Sequence, residues 1–242
     1  MSIFRKKRRG SSEVEFGLLD KDSPFALKEA YSSLLTNIIY IGVEDKCRKF
    51  AITSALPAEG KSTVSANLAL TIAENTENAR VLLIDSDLRA PKLGDLFGVP
   101  EGTSGLSEYL AGVDQAPNFI RLDDKKLTLL TSGAKSLNPT QLLSSSLLAG
   151  FFEKYESEFD YIVIDTPPVN IVTDALMYTG YINGYIISVL SDYSDTKSLG
   201  ECLNKIDQVG GEIIGMVYSG VKLKNRGGRY NYSDRYNKYV NG

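Results

Sequence analysis

Apolar positions along this chain fall into two alternating rhythms. The first is helical: Phe25, Leu27, Tyr31, Leu34, Leu35, Ile38 and Ile39 recur at helix spacing after Ser23-Pro24, a pair suited to a helix start. The second is the short, uninterrupted apolar run, found at 49–53, 80–85, 127–130, 161–165, 184–190 and 213–218. Helical stretches are predicted between these runs at 61–75, 91–97, 104–111, 140–155, 172–179 and 195–209. Runs that are apolar throughout belong to strands covered on both faces, as in a parallel sheet. The pattern therefore predicts an α/β fold, a doubly wound and mostly parallel sheet flanked by helices, with ligands bound at the carboxyl ends of its strands. There is no internal repeat.

The periodicity lapses at both ends. Residues 1–22 read as a flexible basic arm, 23–224 as one folded domain, and 225–242 as a flexible tail rich in Tyr, Asn and Gly. A length of 242 residues, with 43% hydrophobic and 24% charged residues, is ordinary for one large globular domain. No apolar run approaches the roughly 18–20 residues needed to span a bilayer. Cys47 and Cys202 match no metal-ligand spacing and point to a reducing cytoplasm. The chain contains no histidine, which excludes His-based triads, His-ligated metals and His general bases.

Charge is distributed unevenly. The net value is −3, yet residues 1–10 carry +5 and residues 222–242 carry another +5, leaving −13 on the body between them. An acidic body argues against a nucleic-acid-binding core, and the basic ends suit an acidic partner. Arg5-Lys6-Lys7-Arg8-Arg9 is followed by polar Ser11-Ser12-Glu13 rather than by an apolar secretion segment. Such a cluster is either a solvated tail or a contact for anionic lipid.

Candidate chemistry begins at residues 54–63, Ser-Ala-Leu-Pro-Ala-Glu-Gly-Lys-Ser-Thr. With Ala55 standing for the first glycine, this is a phosphate-binding loop between an apolar run and a helical stretch, the context the motif requires. Ala58, Glu59, Gly60, Lys61, Ser62 and Thr63 are the expected nucleotide-binding residues. Lys61 would reach the outer phosphates of a nucleotide, and the Ser62 hydroxyl would sit on Mg²⁺. Two apolar runs end in acidic residues: one in Asp85-Ser86-Asp87, the other in Asp165-Thr166-Pro167-Pro168. Strand-end aspartates often cap turns. Three beside a phosphate loop also suit a Mg²⁺–nucleotide, with Asp165 on the metal and one of the Asp85/Asp87 pair free to accept a proton.

Several linked motifs carry a resemblance to a known family. They are Pro57-Ala58-Glu59-Gly60-Lys61-Ser62, Asp85-Ser86-Asp87-Leu88-Arg89-Ala90-Pro91, Gly105-Leu106, Asn138-Pro139 with Leu142-Leu143, Asp165-Thr166-Pro167-Pro168, and a tyrosine-rich C-terminus. Over residues 23–222 the chain resembles the bacterial tyrosine kinases of capsule and exopolysaccharide synthesis, of the type lacking its own transmembrane segment. The resemblance implies a P-loop NTPase-like domain that transfers the γ-phosphoryl group of ATP to tyrosine with Mg²⁺. Lys61 and Ser62 would hold phosphate and metal, Asp87 and Asp165 would position Mg²⁺ and its waters, and Asp85 would be the base. It further implies autophosphorylation between subunits at Tyr230, Tyr232, Tyr236 and Tyr239. The implied partners are a membrane adaptor protein of the polysaccharide export system, further copies of the chain and a cognate tyrosine phosphatase, but no nucleic acid. A cytoplasmic protein recruited to the inner face of the plasma membrane by its adaptor is the corresponding location.

Two positions depart from the family pattern. Glu29 is followed by Ser32 and Leu35, where the family often has two arginines that support ring assembly, and Ser219 stands where related ATPases often have an asparagine near the base. Two other functions compete. One is a positioning or partition ATPase, although residues 54–60 lack the second lysine usual there. The other is a nucleotide-binding regulatory module without efficient transfer, against which the intact Lys61, Asp85, Asp87 and Asp165 argue.

Overall fold

The computed structural model describes residues 17–40 and 46–221. The basic run at 5–9 and the tail tyrosines Tyr230, Tyr232, Tyr236 and Tyr239 lie outside the described residues. In chain order the elements are α1 (Phe25–Tyr40), β1 (Arg48–Ser54), α2 (Lys61–Asn75), β2 (Val81–Asp85), α3 (Leu93–Phe97), α4 (Leu106–Leu110) and β3 (Ile120–Leu122). They continue with β4 (Leu127–Leu130), α5 (Pro139–Leu143), α6 (Ser146–Tyr155), β5 (Tyr161–Asp165), β6 (Gly184–Leu190), α7 (Thr196–Gln208) and β7 (Ile213–Ser219).

The seven strands form one sheet in the order β3-β4-β2-β5-β1-β6-β7. All neighbours run parallel except β3 and β4. Alternate residues of each strand serve opposite cores, which is why the runs are apolar throughout. On β1, Phe50 and Ile52 join the core beneath α1 and α2, while Ala51 joins the core beneath α6 and α7. Helix α2 is buried at Ser62 and at every position from 64 to 73, because the sheet covers one side and α1 packs against the other. That burial fixes the start of α2, and with it the phosphate loop, at the carboxyl end of β1.

Four local differences from the sequence reading have physical causes. The expected helix at 140–155 breaks into α5 and α6 at Ser144-Ser145, where the Ser144 hydroxyl donates to the Gln141 carbonyl and ends the helix locally. The stretch 172–179 contains a short 3₁₀ turn, Asp174–Tyr178, rather than an α-helix. Strand β3, three residues at an antiparallel edge, is too short to carry a periodic signal. Finally, the docked chain begins before residue 23. Asn67 on α2 accepts the Leu19 N–H (2.7 Å) and donates to the Gly17 carbonyl (3.2 Å), and Leu18 packs on the core. Residues 17–22 of the expected arm therefore belong to the folded unit.

Candidate active site

The loop from β1 to α2 is shaped by backbone conformations that side chains resist. Gly60 caps α2 at φ +81°, and Ala58 is held at φ +61°, in the left-handed region as well. Alternating backbone of this kind turns successive N–H groups toward one point, the geometry that receives phosphate at a helix N-terminus. Glu59 is buried (1% exposed) and acts as the strut of the loop. Its carboxylate accepts the Leu56 N–H (2.8 Å) and the Ser194 hydroxyl, while its carbonyl accepts the Ser188 hydroxyl at 2.6 Å. Of the six expected loop residues, Ala58, Gly60, Lys61, Ser62 and Thr63 line a cavity of about 640 Å³; the Glu59 side chain faces away from it.

Parallel pairing of β2 with β5 sets Asp85 and Asp165 opposite each other in register. Both are fully buried. Burial raises the pKa of Asp85, and the Asp165 charge raises it further, against the pull of the Leu93 and Lys92 N–H groups. Burial likewise raises Asp165, opposed by Lys61 and by the hydroxyls of Ser62 and Ser65. The two carboxylates differ in what they touch. Asp85 Oδ2 accepts the N–H groups of Lys92 (3.1 Å) and Leu93 (2.9 Å), and its Oδ1 accepts that of Asp87 (3.3 Å), so it fixes the turn that leads to α3. Asp165 Oδ1 accepts the Ser65 hydroxyl at 3.1 Å, whereas its Oδ2 is buried with no hydrogen-bond partner among the described residues.

Asp87 alone of the three carboxylates lines the cavity, and its Oδ2 lies 3.4 Å from Lys61 Nζ. Asp85, expected as the base, instead stands behind it with both oxygens engaged by backbone. The three carboxylates come together, yet among the described residues no group of three or more His, Cys, Asp or Glu forms a metal cage. Mg²⁺ does not require one, because it is held by one or two protein oxygens together with phosphates and water. The donor set fits such an ion: the orphaned Asp165 Oδ2 and the Ser62 hydroxyl at the start of α2 are hard oxygens beside a phosphate loop.

A further cation stands at the mouth of the cavity. Arg89 Nε donates to Asp174 Oδ2 (2.7 Å) and its Nη2 to Asp174 Oδ1 (3.2 Å), with Thr140 bonded to both partners. Asp174 is 1% exposed, so the guanidinium is anchored from below. This clamp joins the Asp85–Arg89 motif to the Asn138-Pro139 motif. Sequence reading missed it, because Asp174 comes from a turn 85 residues away from Arg89. Beneath the carboxylates, Ser86 shares a 2.6 Å hydrogen bond with the buried Tyr178 hydroxyl. The Tyr178 ring meets Phe152 edge to face, tying the acidic turn to α6.

A family model described as an AAA domain matches residues 49–214, the span that builds all of these features. The chain is 31% identical over 220 residues to the tyrosine-protein kinase YwqD of Bacillus subtilis, covering 90% of this chain and 91% of that protein. It belongs to the bacterial tyrosine-protein kinases. The kinase domain of the Escherichia coli tyrosine kinase ETK superposes with a TM-score of 0.79 at 29% identity, over 95% of this kinase and 89% of that chain. A plasmid partition protein from Borrelia burgdorferi matches with a TM-score of 0.58 and 23% identity over 80% of this kinase and 87% of that chain, a likeness of fold alone. The expected fold class is thus observed, and a tyrosine kinase rather than a partition ATPase is the enzyme it carries.

Proposed function

We propose that this kinase transfers the γ-phosphoryl group of ATP, with Mg²⁺, to the tyrosines of its own tail, Tyr230, Tyr232, Tyr236 and Tyr239, presented by a neighbouring copy. The observation that carries this reading is Lys61 paired with Asp87 on the wall of the cavity behind the phosphate loop. Transfer of this kind is mostly positioning and electrostatic stabilisation. Backbone N–H groups of 58–63 hold the phosphates, and Lys61 neutralises charge on the transferred group. Ser62 and Asp165, with Asp87 nearby, would hold Mg²⁺, which when bound supplies positive charge on the phosphate oxygens. The tyrosine proton goes to the Asp85/Asp87 pair, with Asp87 the member that meets the cavity.

Family membership supports the wider setting: a membrane adaptor of polysaccharide export, a cognate phosphatase, self-association, and work at the inner face of the membrane in capsule or exopolysaccharide synthesis. No helix among the described residues is long and apolar enough to cross a membrane, so recruitment would depend on the adaptor or on the basic ends. The test is incubation of the full chain with γ-labelled ATP and Mg²⁺, with and without the adaptor's cytoplasmic tail. Label on tail tyrosines, raised by the adaptor, is the expected result. Phosphate release without tyrosine label would contradict the reading.

A further inference from the structure

The cavity extends beyond what the phosphate loop needs. Its remaining walls come from the segment after β2, from α3 and from the segment after β5. In the sheet order, β5 and β2 lie on one side of β1, with β6 and β7 on the other, and the cavity takes no wall from the residues after β6 or β7. The free space is therefore at the Lys61–Asp87 end of the site. Apolar side chains border it there: Leu96 from α3, and Pro168, Ile171 and Val172 from the segment after β5.

Ile171 is 58% exposed and borders the cavity beside a charged site. It is also held rigidly. The N–H groups of Ile171 and Val172 both bond to the Pro168 carbonyl (3.1 and 3.2 Å), and the Val169 N–H bonds to the Ser54 carbonyl (2.9 Å). Asn170 donates to the Ser198 carbonyl on α7 at 2.7 Å. A segment pinned at each of these points, yet presenting an isoleucine to the cavity, is a preorganised apolar surface awaiting a ligand.

We propose that Leu96, Pro168, Ile171 and Val172 form the acceptor subsite, which takes the phenol ring of the incoming tyrosine. This rests on the tyrosine-transfer reading above. A tyrosine that takes the γ-phosphate at Lys61 must enter beside Asp87, and this apolar wall borders the same cavity as that pair. The phenolic hydroxyl then meets Asp87. A bond forms from the phenolic oxygen to the γ-phosphorus, the bond from that phosphorus to the β–γ bridging oxygen breaks, the phenol proton passes to the carboxylate, and ADP leaves.

The test uses the full chain, γ-labelled ATP, Mg²⁺ and a synthetic peptide of residues 226–242 as acceptor. Ile171→Asp is expected to raise the peptide KM by about tenfold or more, the effect of losing one buried aliphatic contact. ATP affinity, measured separately by displacement of a fluorescent nucleotide, stays within about twofold of wild type, a difference below the energy of one such contact. Ile171→Leu should keep the wild-type KM, which separates the loss of an apolar wall from a local folding defect. An unchanged KM in Ile171→Asp, or a loss of ATP affinity equal to the loss for peptide, would overturn the subsite while leaving tyrosine transfer in place. Wild-type protein that failed to label the peptide tyrosines would remove the transfer reading and the subsite together.

Discussion

Ala58 shows what a single residue costs at this site. Its φ of +61° is a conformation that glycine adopts freely and alanine resists. Ala58→Gly should therefore stabilise the protein without nucleotide by about 0.5–1 kcal/mol, read from urea unfolding, because relief of strain exceeds the added chain entropy. A destabilised variant would show that the loop is not strained. Glu59 carries the opposite lesson. The motif places it among nucleotide-binding residues, yet its side chain works from beneath, bonding Leu56 and Ser194. Glu59→Ala should cost about 1–3 kcal/mol, since it leaves a part-buried N–H and a hydroxyl without their acceptor. It should also weaken ATP binding through the loop; wild-type stability and affinity would deny the strut. The spacing of Gly60, Lys61 and Ser62 made the loop legible, because the chemistry demands that spacing. The direction in which Glu59 points depends on Ser194, a partner 135 residues away, and no local pattern encodes it.

Among the elements, α4 depends on one carboxylate. Glu108 accepts the N–H groups of Gly105 (2.8 Å) and Ala134 (2.9 Å) and the Ser107 hydroxyl (3.0 Å), joining the helix to the end of β4. Gly105 sits where a Cβ would meet the Thr131 carbonyl oxygen at 2.2 Å, which accounts for the glycine of the Gly105-Leu106 motif. Burial opposes ionisation of Glu108, but these donors outweigh it and hold the pKa below the ordinary 4.5. A depressed carboxylate adds stability above its unfolded value and loses it as pH falls through the folded one. Wild-type protein should thus lose more stability than Glu108→Gln as pH falls from 5 toward 3, in thermal melts at matched ionic strength. Equal losses would show that Glu108 is not the group responsible. Strong elements such as α2 and β5 were readable because both are covered on two sides, β5 by the two cores and α2 by the sheet and α1. The break between α5 and α6 and the docking of residues 17–22 were not, since they depend on a few polar bonds rather than on periodicity, and the three-residue β3 is too short to show one.

For the molecule as a whole, charge and assembly are linked. On α1, Leu35 is buried in the core, while the half-exposed Ser32 has its hydroxyl 3.5 Å from Asn75 of α2. For the association between copies proposed above, the charged ends offer a driving force. Residues 222–242 carry +5 against a body of −13. Each phosphotyrosine adds about −1.5 to −2, so four would contribute about −6 to −8 and reverse the sign of the tail. Phosphorylated protein should therefore elute as smaller species than unphosphorylated protein in sizing at low salt, with the difference shrinking as salt rises. Identical profiles would exclude an electrostatic role for the tail in assembly.

Transfer from the Lys61 site of one copy to the tail of another is tested most directly by mixing two defective chains. One carries Lys61→Met with its tail intact; the other keeps its active site but has Tyr230, Tyr232, Tyr236 and Tyr239 changed to phenylalanine. Incubated together with ATP, Mg²⁺ and the adaptor tail, the pair should yield phosphotyrosine on the Lys61→Met chain, located by mass spectrometry at 230–239, while neither chain alone does so. An unlabelled Lys61→Met chain in the mixture, when wild-type protein labels its own tail under the same conditions, would contradict transfer between copies.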